Sequence, residues 1–317
     1  MFFERDESIT REPARERERK KTKKRMSSLP TSLLAASAVA LAIAAGLARR
    51  ARSRSASESS LRPPPSPPPL TIAYWKMRGL GAPLRMMGFF SQLRDGLDVR
   101  YACYDAGSPS GPDYKRAWFD LKPALLRQAN PMMNLPYVLD RDAGIAVVQT
   151  NACLYYLGRK FGLAGRTEAE RARIDQVVAQ TMDLRNASIG VFYGRLNVVP
   201  SDHADGAVRA HYTKLNAFMA HHGTRFSAAD TITLADFHLW EMLDQHESWF
   251  RFEKLASILP EFPNLVRLHK EMQMDPRLQD YFQSQYYATF ELNNPHARLL
   301  RAPLLNGKVA ATRRGKR

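Results

Sequence analysis

The fold is decided by the stretch Asn134–Leu157, which has the sequence NLPYVLDRDAGIAVVQTNACLYYL. Tyr137–Asp140 and Ile145–Val148 are short apolar runs of strand type, and the aspartates and glycine between them are typical turn residues. The two runs therefore predict a β-hairpin. Gln149 and Thr150 then open a helix, because the apolar residues after them recur at helical spacing.

The start of this helix is a candidate site for an anion. We expect Thr150 to be its N-cap, which leaves backbone N–H groups of the first turn free to bind a carboxylate. The Gln149 side chain lies beside them, and the backbone of Leu135, before Pro136, can pair with an extended peptide. These residues predict a cradle for a small anionic peptide. On these residues alone, a hairpin and a capped helix without any ligand is the alternative.

Strands and helices alternate on either side of this stretch. Leu70–Tyr74 predicts a strand, about Ala82–Gln92 a helix, Val99–Tyr104 a second strand, and the region of Trp118 a short helix. The resulting order β-α-β-α-β-β-α is that of a thioredoxin-like α/β layer. From Thr167 onward the pattern is helical, so the predicted fold class is an α/β thioredoxin-like N-terminal domain followed by an all-α helical-bundle domain.

The helical region carries its own start signals. Thr167–Glu170 and Thr233–Asp236 have the pattern of capping boxes, with a hydroxyl residue followed three positions later by an acid. The expected helices are a long one from Thr167 through Met182 and beyond, then Ala207–His222, Thr233–Gln245, Asn264–Met272 and Arg277–Gln285.

The positive charge of the chain lies in its two ends. The 317 residues carry a net charge of +16, and residues 1–62 hold 15 Lys/Arg against 7 Asp/Glu. Residues 291–317 hold 7 Lys/Arg against 1 acid, which leaves the middle close to neutral. Binding of nucleic acid or of a membrane surface through the tails is therefore an alternative function, but no specific nucleic-acid site is predicted.

Only two cysteines occur, Cys103 and Cys153. They form no disulfide framework and no metal motif, so a reducing compartment fits best and no metal is predicted. Cys153 lies on the predicted helix and is interpreted as a core residue.

An apolar segment near the N-terminus, residues 29–48, leaves the location of the protein open. It approaches the length of a transmembrane signal-anchor helix. A cleaved organelle-targeting peptide is the second interpretation, because Lys20–Ser57 contains no acid. A soluble helix, or a gene start wrongly placed upstream of Met26, is the third, and the location would then be cytoplasmic. A proline-rich linker follows. The predicted domains are 1–69 (basic extension and linker), 70–161 (thioredoxin-like), 167–290 (all-helical) and 291–317 (basic tail).

The first strand ends in Tyr74-Trp75-Lys76-Met77-Arg78-Gly79-Leu80. A tyrosine at the end of a strand, facing a helix start, can donate its hydroxyl proton to a thiolate and so stabilise the charged form of a thiol. A bound cysteine-containing peptide would then be nucleophilic without any protein cysteine. Taken alone, such a tyrosine is more often a packed residue at a strand end.

Several short motifs, in this order, resemble the mu class of cytosolic glutathione transferases. They are Tyr74–Leu80, Asn134-Leu135-Pro136, Gln149-Thr150, Gln180–Asp183 and the capping box at Thr233. The similarity extends from about Leu70 to Phe290. It implies conjugation of the glutathione thiolate to apolar electrophiles, in detoxification, by a homodimer that uses glutathione as co-substrate and no other cofactor. A non-catalytic binder of glutathione or apolar ligands on the same fold is the alternative.

The resemblance also implies roles for individual residues. Tyr74 would donate to the glutathione sulfur, and Tyr193 would assist the electrophile. Met77 and Asn186 would border the electrophile pocket together with Tyr193, and Asp183 would reach the glutathione of the neighbouring subunit. The other implied glutathione-binding residues are Trp75, Trp118, Lys122, Asn134, Leu135, a cis Pro136, Gln149 and Thr150.

The chain departs from the family pattern at three places. Thr150 stands where a serine is usual but keeps the hydroxyl. The segment Trp118–Asn134 is about three residues longer than the pattern, and Met132 stands where an aromatic residue of the dimer contact is expected. The loop over the site and the strength of the dimer contact are therefore expected to differ from the family pattern, and the preference for the electrophile is the feature that the resemblance defines least.

Overall fold

The structure is a computed structural model of the chain and describes residues 67–300. Its strands are β1 (Leu70–Trp75), β2 (Val99–Tyr104), β3 (Tyr137–Asp140) and β4 (Ile145–Val148). The helices of the sheet region are α1 (Ala82–Phe90), α2 (Arg116–Phe119), α3 (Lys122–Gln128) and α4 (Thr150–Lys160). The helices that follow are α5 (Glu168–Phe192), α6 (Pro200–His203), α7 (Arg209–His222), α8 (Leu234–Glu253), α9 (Pro263–Met274), α10 (Gln279–Gln283) and α11 (Gln285–Ala288). The predicted fold class is confirmed.

The strands form one mixed sheet in the order β2-β1-β3-β4. β1 is parallel to β2 and antiparallel to β3, and β3 is antiparallel to β4. The register places Ala73 opposite Tyr137, and Tyr137 opposite Val148. Because β3 is antiparallel to both of its neighbours, the residue after Ala73, the residue before Tyr137 and the residue after Val148 lie at the same edge of the sheet. The residues at that edge are Tyr74, Pro136 and Gln149.

The two faces of the sheet bury different cores because side chains alternate along each strand. Ile72 belongs to the large core, which continues into the helical region through α1 and α4. Ala73, the next residue, belongs to a smaller core on the opposite face, together with Trp118, Met133 and Tyr137. The side chains on one face of the sheet are thus covered by α1 and α4, and those on the other face are covered by the segment that carries α2 and α3.

Helix α8 is the central helix of the bundle, and its residues from Leu234 to His246 are all buried. Its start is the predicted capping box: the Asp236 carboxylate accepts the Thr233 N–H at 2.7 Å. The same carboxylate accepts the Ser227 N–H at 2.8 Å, so it also fastens the preceding loop. The helix runs to Glu253, eight residues beyond the predicted end at Gln245, because the additional turns are held by burial of apolar side chains such as Trp249.

The predicted helix Arg277–Gln285 is interrupted. A 3-10 turn at Pro276–Leu278 precedes α10, and Ser284 is extended between α10 and α11. The Ser284 hydroxyl donates to the Tyr281 carbonyl at 2.6 Å. Serine side chains compete in this way with the backbone hydrogen bonds of a helix, which explains the break.

The prediction of a transmembrane helix is wrong for the part of the chain that the structure describes, because no helix within residues 67–300 is long and apolar enough to cross a membrane. The apolar segment 29–48, on which that prediction depended, lies outside the described residues. So do the rest of the N-terminal extension up to residue 66 and the tail from residue 301.

Candidate active site

Tyr74 lies near the C-terminal end of β1, and its side chain is 8% exposed. Its ring fits against two glycines of the following turn. A Cβ atom at Gly79 would lie 3.3 Å from the Tyr74 hydroxyl, and one at Gly81 would lie 2.6 Å from the Tyr74 Cβ. The turn after β1 therefore follows the tyrosine along its whole length and fixes where the hydroxyl lies.

The environment of Tyr74 keeps its hydroxyl protonated. Burial raises the pKa of Tyr74, and the neighbouring Tyr193 acts in the same direction. The Arg185 charge and a hydrogen bond from the Leu80 backbone lower the pKa, but less than burial raises it. Because the hydroxyl stays protonated, its proton is available to an acceptor.

Tyr193 is a second hydroxyl of the same region. It follows the last residue of α5, and its hydroxyl accepts the backbone N–H of Asn294 at 3.2 Å. The Arg195 guanidinium lies over its ring, 5.0 Å from the centroid. Because Tyr193 accepts from a backbone N–H here, its own O–H is left to donate to another acceptor.

The hairpin edge brings the predicted peptide cradle next to Tyr74. The Leu135–Pro136 bond is cis, as predicted, and Leu135 is half-buried. The structure corrects one detail, because Gln149 and not Thr150 is the N-cap of α4. The chain leaves β4 by a sharp turn at Gln149, with φ 73° and ψ 130°, so Thr150 is already the first helical residue.

This end of α4 has the features of an anion-binding site. Gln149 is exposed, Thr150 is buried, and within residues 67–300 no side chain caps the helix. Free N–H groups at the start of an eleven-residue helix favour a bound negative charge. A glutamine with this backbone conformation is strained, and such strain is concentrated at functional sites.

The other predicted residues lie at different depths around this edge. Trp118 is 1% exposed and stacks on Tyr137, with 5.9 Å between ring centroids. Lys122 is the first residue of α3 and is half-buried, whereas Asn134 is exposed. Trp75 is half-buried and Met77 is buried, and both line a cleft of about 300 Å³.

The predicted residues of α5 are on the surface. Asp183 and Asn186 are both exposed, and the Asp183 charge acts on His211 of α7. They do not line the cleft beside Met77, whose opposite wall comes from residues 289–295. Met132, at the position of the expected dimer contact, is 65% exposed.

Sequence reasoning missed the charged group Arg78, Glu241 and Asp244, which joins the turn after β1 to α8. A signal was present, because Glu241 and Asp244 are acids three residues apart, next to the apolar residues Trp240, Met242 and Leu243. It also missed Asn294, which no sequence pattern indicates, since the contact to Tyr193 is made by the backbone.

Comparison with known proteins places these features in a family. Residues 182–285 match a family model described as glutathione S-transferase, C-terminal domain. The chain is 30% identical over 236 residues to glutathione S-transferase Mu 3 of Homo sapiens, covering 72% of this chain and 94% of that protein. It is 31% identical to glutathione S-transferase Mu 1 of Oryctolagus cuniculus, covering 69% and 92%. A pi-class enzyme of Onchocerca volvulus shares the fold, with a TM-score of 0.59, 23% identity and coverage of 73% of this chain and 100% of that one.

Proposed function

The chain belongs to the mu class of the glutathione S-transferases, and we propose that Tyr74 is the residue that holds the glutathione sulfur as a thiolate. One observation carries this assignment: the Tyr74 hydroxyl is buried beside the turn at Gly79, and burial raises the pKa of Tyr74, so the hydroxyl keeps a proton to donate. A hydrogen bond from this hydroxyl to sulfur favours the charged form of the thiol. The thiolate then attacks an electrophilic carbon, a carbon–sulfur bond forms, and the leaving group departs with the electron pair.

The sheet edge beside Tyr74 is the proposed glutathione site. We propose that the Leu135 backbone pairs with the cysteinyl unit, and that the γ-glutamyl carboxylate binds Gln149, Thr150 and the start of α4. Trp75 and Asn134 border the same edge. Lys122 supplies a cation for the glycine carboxylate. The Trp118 indole can donate a hydrogen bond to the same carboxylate when its N–H faces the cleft.

The electrophile is proposed to bind on the side of Met77 and Tyr193, and Asn186, which is exposed and does not line the cleft beside Met77, is left outside this pocket. Tyr193 suits electrophiles that develop negative charge on oxygen, such as epoxides and enones, because its hydroxyl retains a proton to donate. An aryl halide needs no such donor. The cleft beside Met77 has polar as well as apolar walls, including Lys76 and Asn293, so we expect acceptors with a polar end to bind as well as apolar ones.

We propose that the protein acts as a homodimer. Phe119, Met132 and Ile145 are exposed apolar residues of the sheet region, 53%, 65% and 41% accessible respectively. Asp183 is an exposed acid on α5 that can reach the glutathione of a second subunit. Met132 has no aromatic ring to insert, so we expect a weaker contact, which concentration-dependent sedimentation would measure.

Steady-state conjugation by the full-length chain tests the assignment of Tyr74. We expect Tyr74→Phe to lower kcat/KM for an activated aryl chloride by about 10- to 100-fold at neutral pH, as a loss of one to two pKa units of thiolate stabilisation requires. The matched control is Tyr104→Phe, at the end of the neighbouring strand, whose hydroxyl bonds Tyr137 at 2.7 Å. Equal activity of the two variants would refute the role of Tyr74.

A further inference from the structure

Arg78 forms a buried ion pair with two acids of α8. Its Nε and Nη2 atoms donate to the two Glu241 carboxylate oxygens at 3.1 and 2.7 Å, and Nη2 also donates to Asp244 at 2.7 Å. All three side chains are at most 4% exposed. The Tyr287 ring covers the guanidinium, 4.5 Å from its centroid, and Gln245 donates to Glu241 at 2.7 Å. The group is rigid, because planar bidentate pairing fixes both partners.

The backbone at Arg78 holds a different part of the chain. Its N–H donates to the Glu291 carbonyl at 2.7 Å, and the next N–H, that of Gly79, donates to the Leu292 carbonyl at 3.0 Å. We call residues 291–300 the C-terminal segment. The Arg78 carbonyl in turn accepts the N–H groups of Gly81 and Ala82, where α1 begins. One residue thus joins α8, the turn after β1 and the C-terminal segment.

Two of these attachments, the turn after β1 and the C-terminal segment, each lead to one of the two proposed catalytic hydroxyls. On one side, Gly79, the residue after Arg78, lies against the Tyr74 ring, because a Cβ atom there would lie 3.3 Å from the Tyr74 hydroxyl. On the other, the C-terminal segment contacts Tyr193, since the Asn294 N–H donates to its hydroxyl. The segment is itself fixed, because the Leu299 N–H donates to the Phe192 carbonyl and Leu292 is fully buried.

Stability alone does not explain such a group. Buried ion pairs are costly to desolvate, and apolar side chains of the same volume are often as stable or more so. Two acids share one guanidinium here, and burial raises the pKa of Glu241, in keeping with that cost. A geometric requirement accounts for the arrangement better than a stabilising one.

We propose that Arg78, held by Glu241 and Asp244, is a positioning residue that sets the Tyr74 and Tyr193 hydroxyls relative to the bound glutathione sulfur. This rests on the proposed function of the two tyrosines. Arg78 itself does not contact the substrate. It acts through the turn that carries Gly79 and Leu80 and through the C-terminal segment.

The test measures the thiol pKa of bound glutathione, from thiolate absorbance, in the full-length chain. Arg78→Lys keeps the charge but loses the planar fork, and Glu241→Gln keeps the shape of the acid in case the first variant does not fold. We expect either to raise the thiol pKa by about one unit and lower kcat about tenfold at neutral pH. The glutathione Kd should change less than threefold. Arg94→Gln, which breaks the exposed ion pair with Asp98, is the matched control and should change none of these values.

A double-variant cycle separates positioning from a purely structural role. If Arg78 acts through Tyr74, Arg78→Lys should no longer raise the thiol pKa in a Tyr74→Phe background. A lower melting temperature with an unchanged thiol pKa and kcat would overturn the inference. An additive effect in the cycle would overturn it as well. If Tyr74→Phe alone leaves the thiol pKa unchanged, it is the proposed function that fails.

Discussion

Replacing Tyr74 by phenylalanine should raise the thiol pKa of bound glutathione by about one to two units. A hydrogen bond to a charged group contributes about 1.5–3 kcal/mol, and one pKa unit corresponds to about 1.4 kcal/mol. The structure favours the full effect, because Tyr74 is only 8% exposed and water has little access to replace the hydroxyl. Phenylalanine keeps the ring between Gly79 and Gly81, so the shape of the site is retained.

The assay is the ultraviolet difference spectrum of bound thiolate, titrated over pH with saturating glutathione. The wild type should show thiolate at neutral pH, and Tyr74→Phe should show it only at higher pH with similar saturation by glutathione. Tyr104→Phe should titrate as the wild type does. Superimposed titrations of the wild type and Tyr74→Phe would refute the reasoning, because the hydroxyl would then make no difference to the charged form of the sulfur.

Three further changes have defined outcomes. Asp236→Ala should cost about 3 kcal/mol in urea unfolding, since it leaves two buried N–H groups unpaired; the exposed Asp230→Ala should cost less than about 1 kcal/mol. Burial lowers the pKa of His246 to about 3 in the folded state. As the pH falls below about 6.5, the imidazole binds a proton in the unfolded chain but not in the folded one, so the free energy of unfolding decreases. His246→Gln should reduce that slope by about 1.4 kcal/mol per pH unit, whereas the exposed His221→Gln should not. Tyr193→Phe should slow conjugation of enones and epoxides more than that of aryl chlorides, and equal losses with both would argue against its role as a donor.

The strands could be predicted from the sequence because each is a short apolar run between turn residues. The same pattern of apolar runs and turn residues predicts that Pro136 lies at the edge of the hairpin. The helix start was misplaced by one residue, since hydroxyl residues are the usual N-caps, and nothing local reveals that Gln149 takes a positive φ. The break at Ser284 was missed because the helical spacing of apolar residues continues across it.

The contacts that fix the site could not be predicted in the same way. Arg78 and Glu241 are 163 residues apart, and no local pattern says which buried acid meets which base. The contact between Asn294 and Tyr193 uses a backbone N–H, which every residue except proline carries. Local sequence patterns therefore predict the strands and helices that carry the proposed site residues. The positions of these residues relative to one another depend on packing between distant segments.

The conformation of Gln149 also bears on engineering. With φ 73° and ψ 130°, its backbone suits glycine, and a side chain there costs about 1–3 kcal/mol. A screen for heat-resistant variants would therefore select glycine at position 149. The substitution relieves the backbone strain and removes the side-chain amide at the start of α4. Thermostability would improve as glutathione affinity declined, so selections on this enzyme should hold Gln149 fixed or screen for ligand binding alongside heat tolerance.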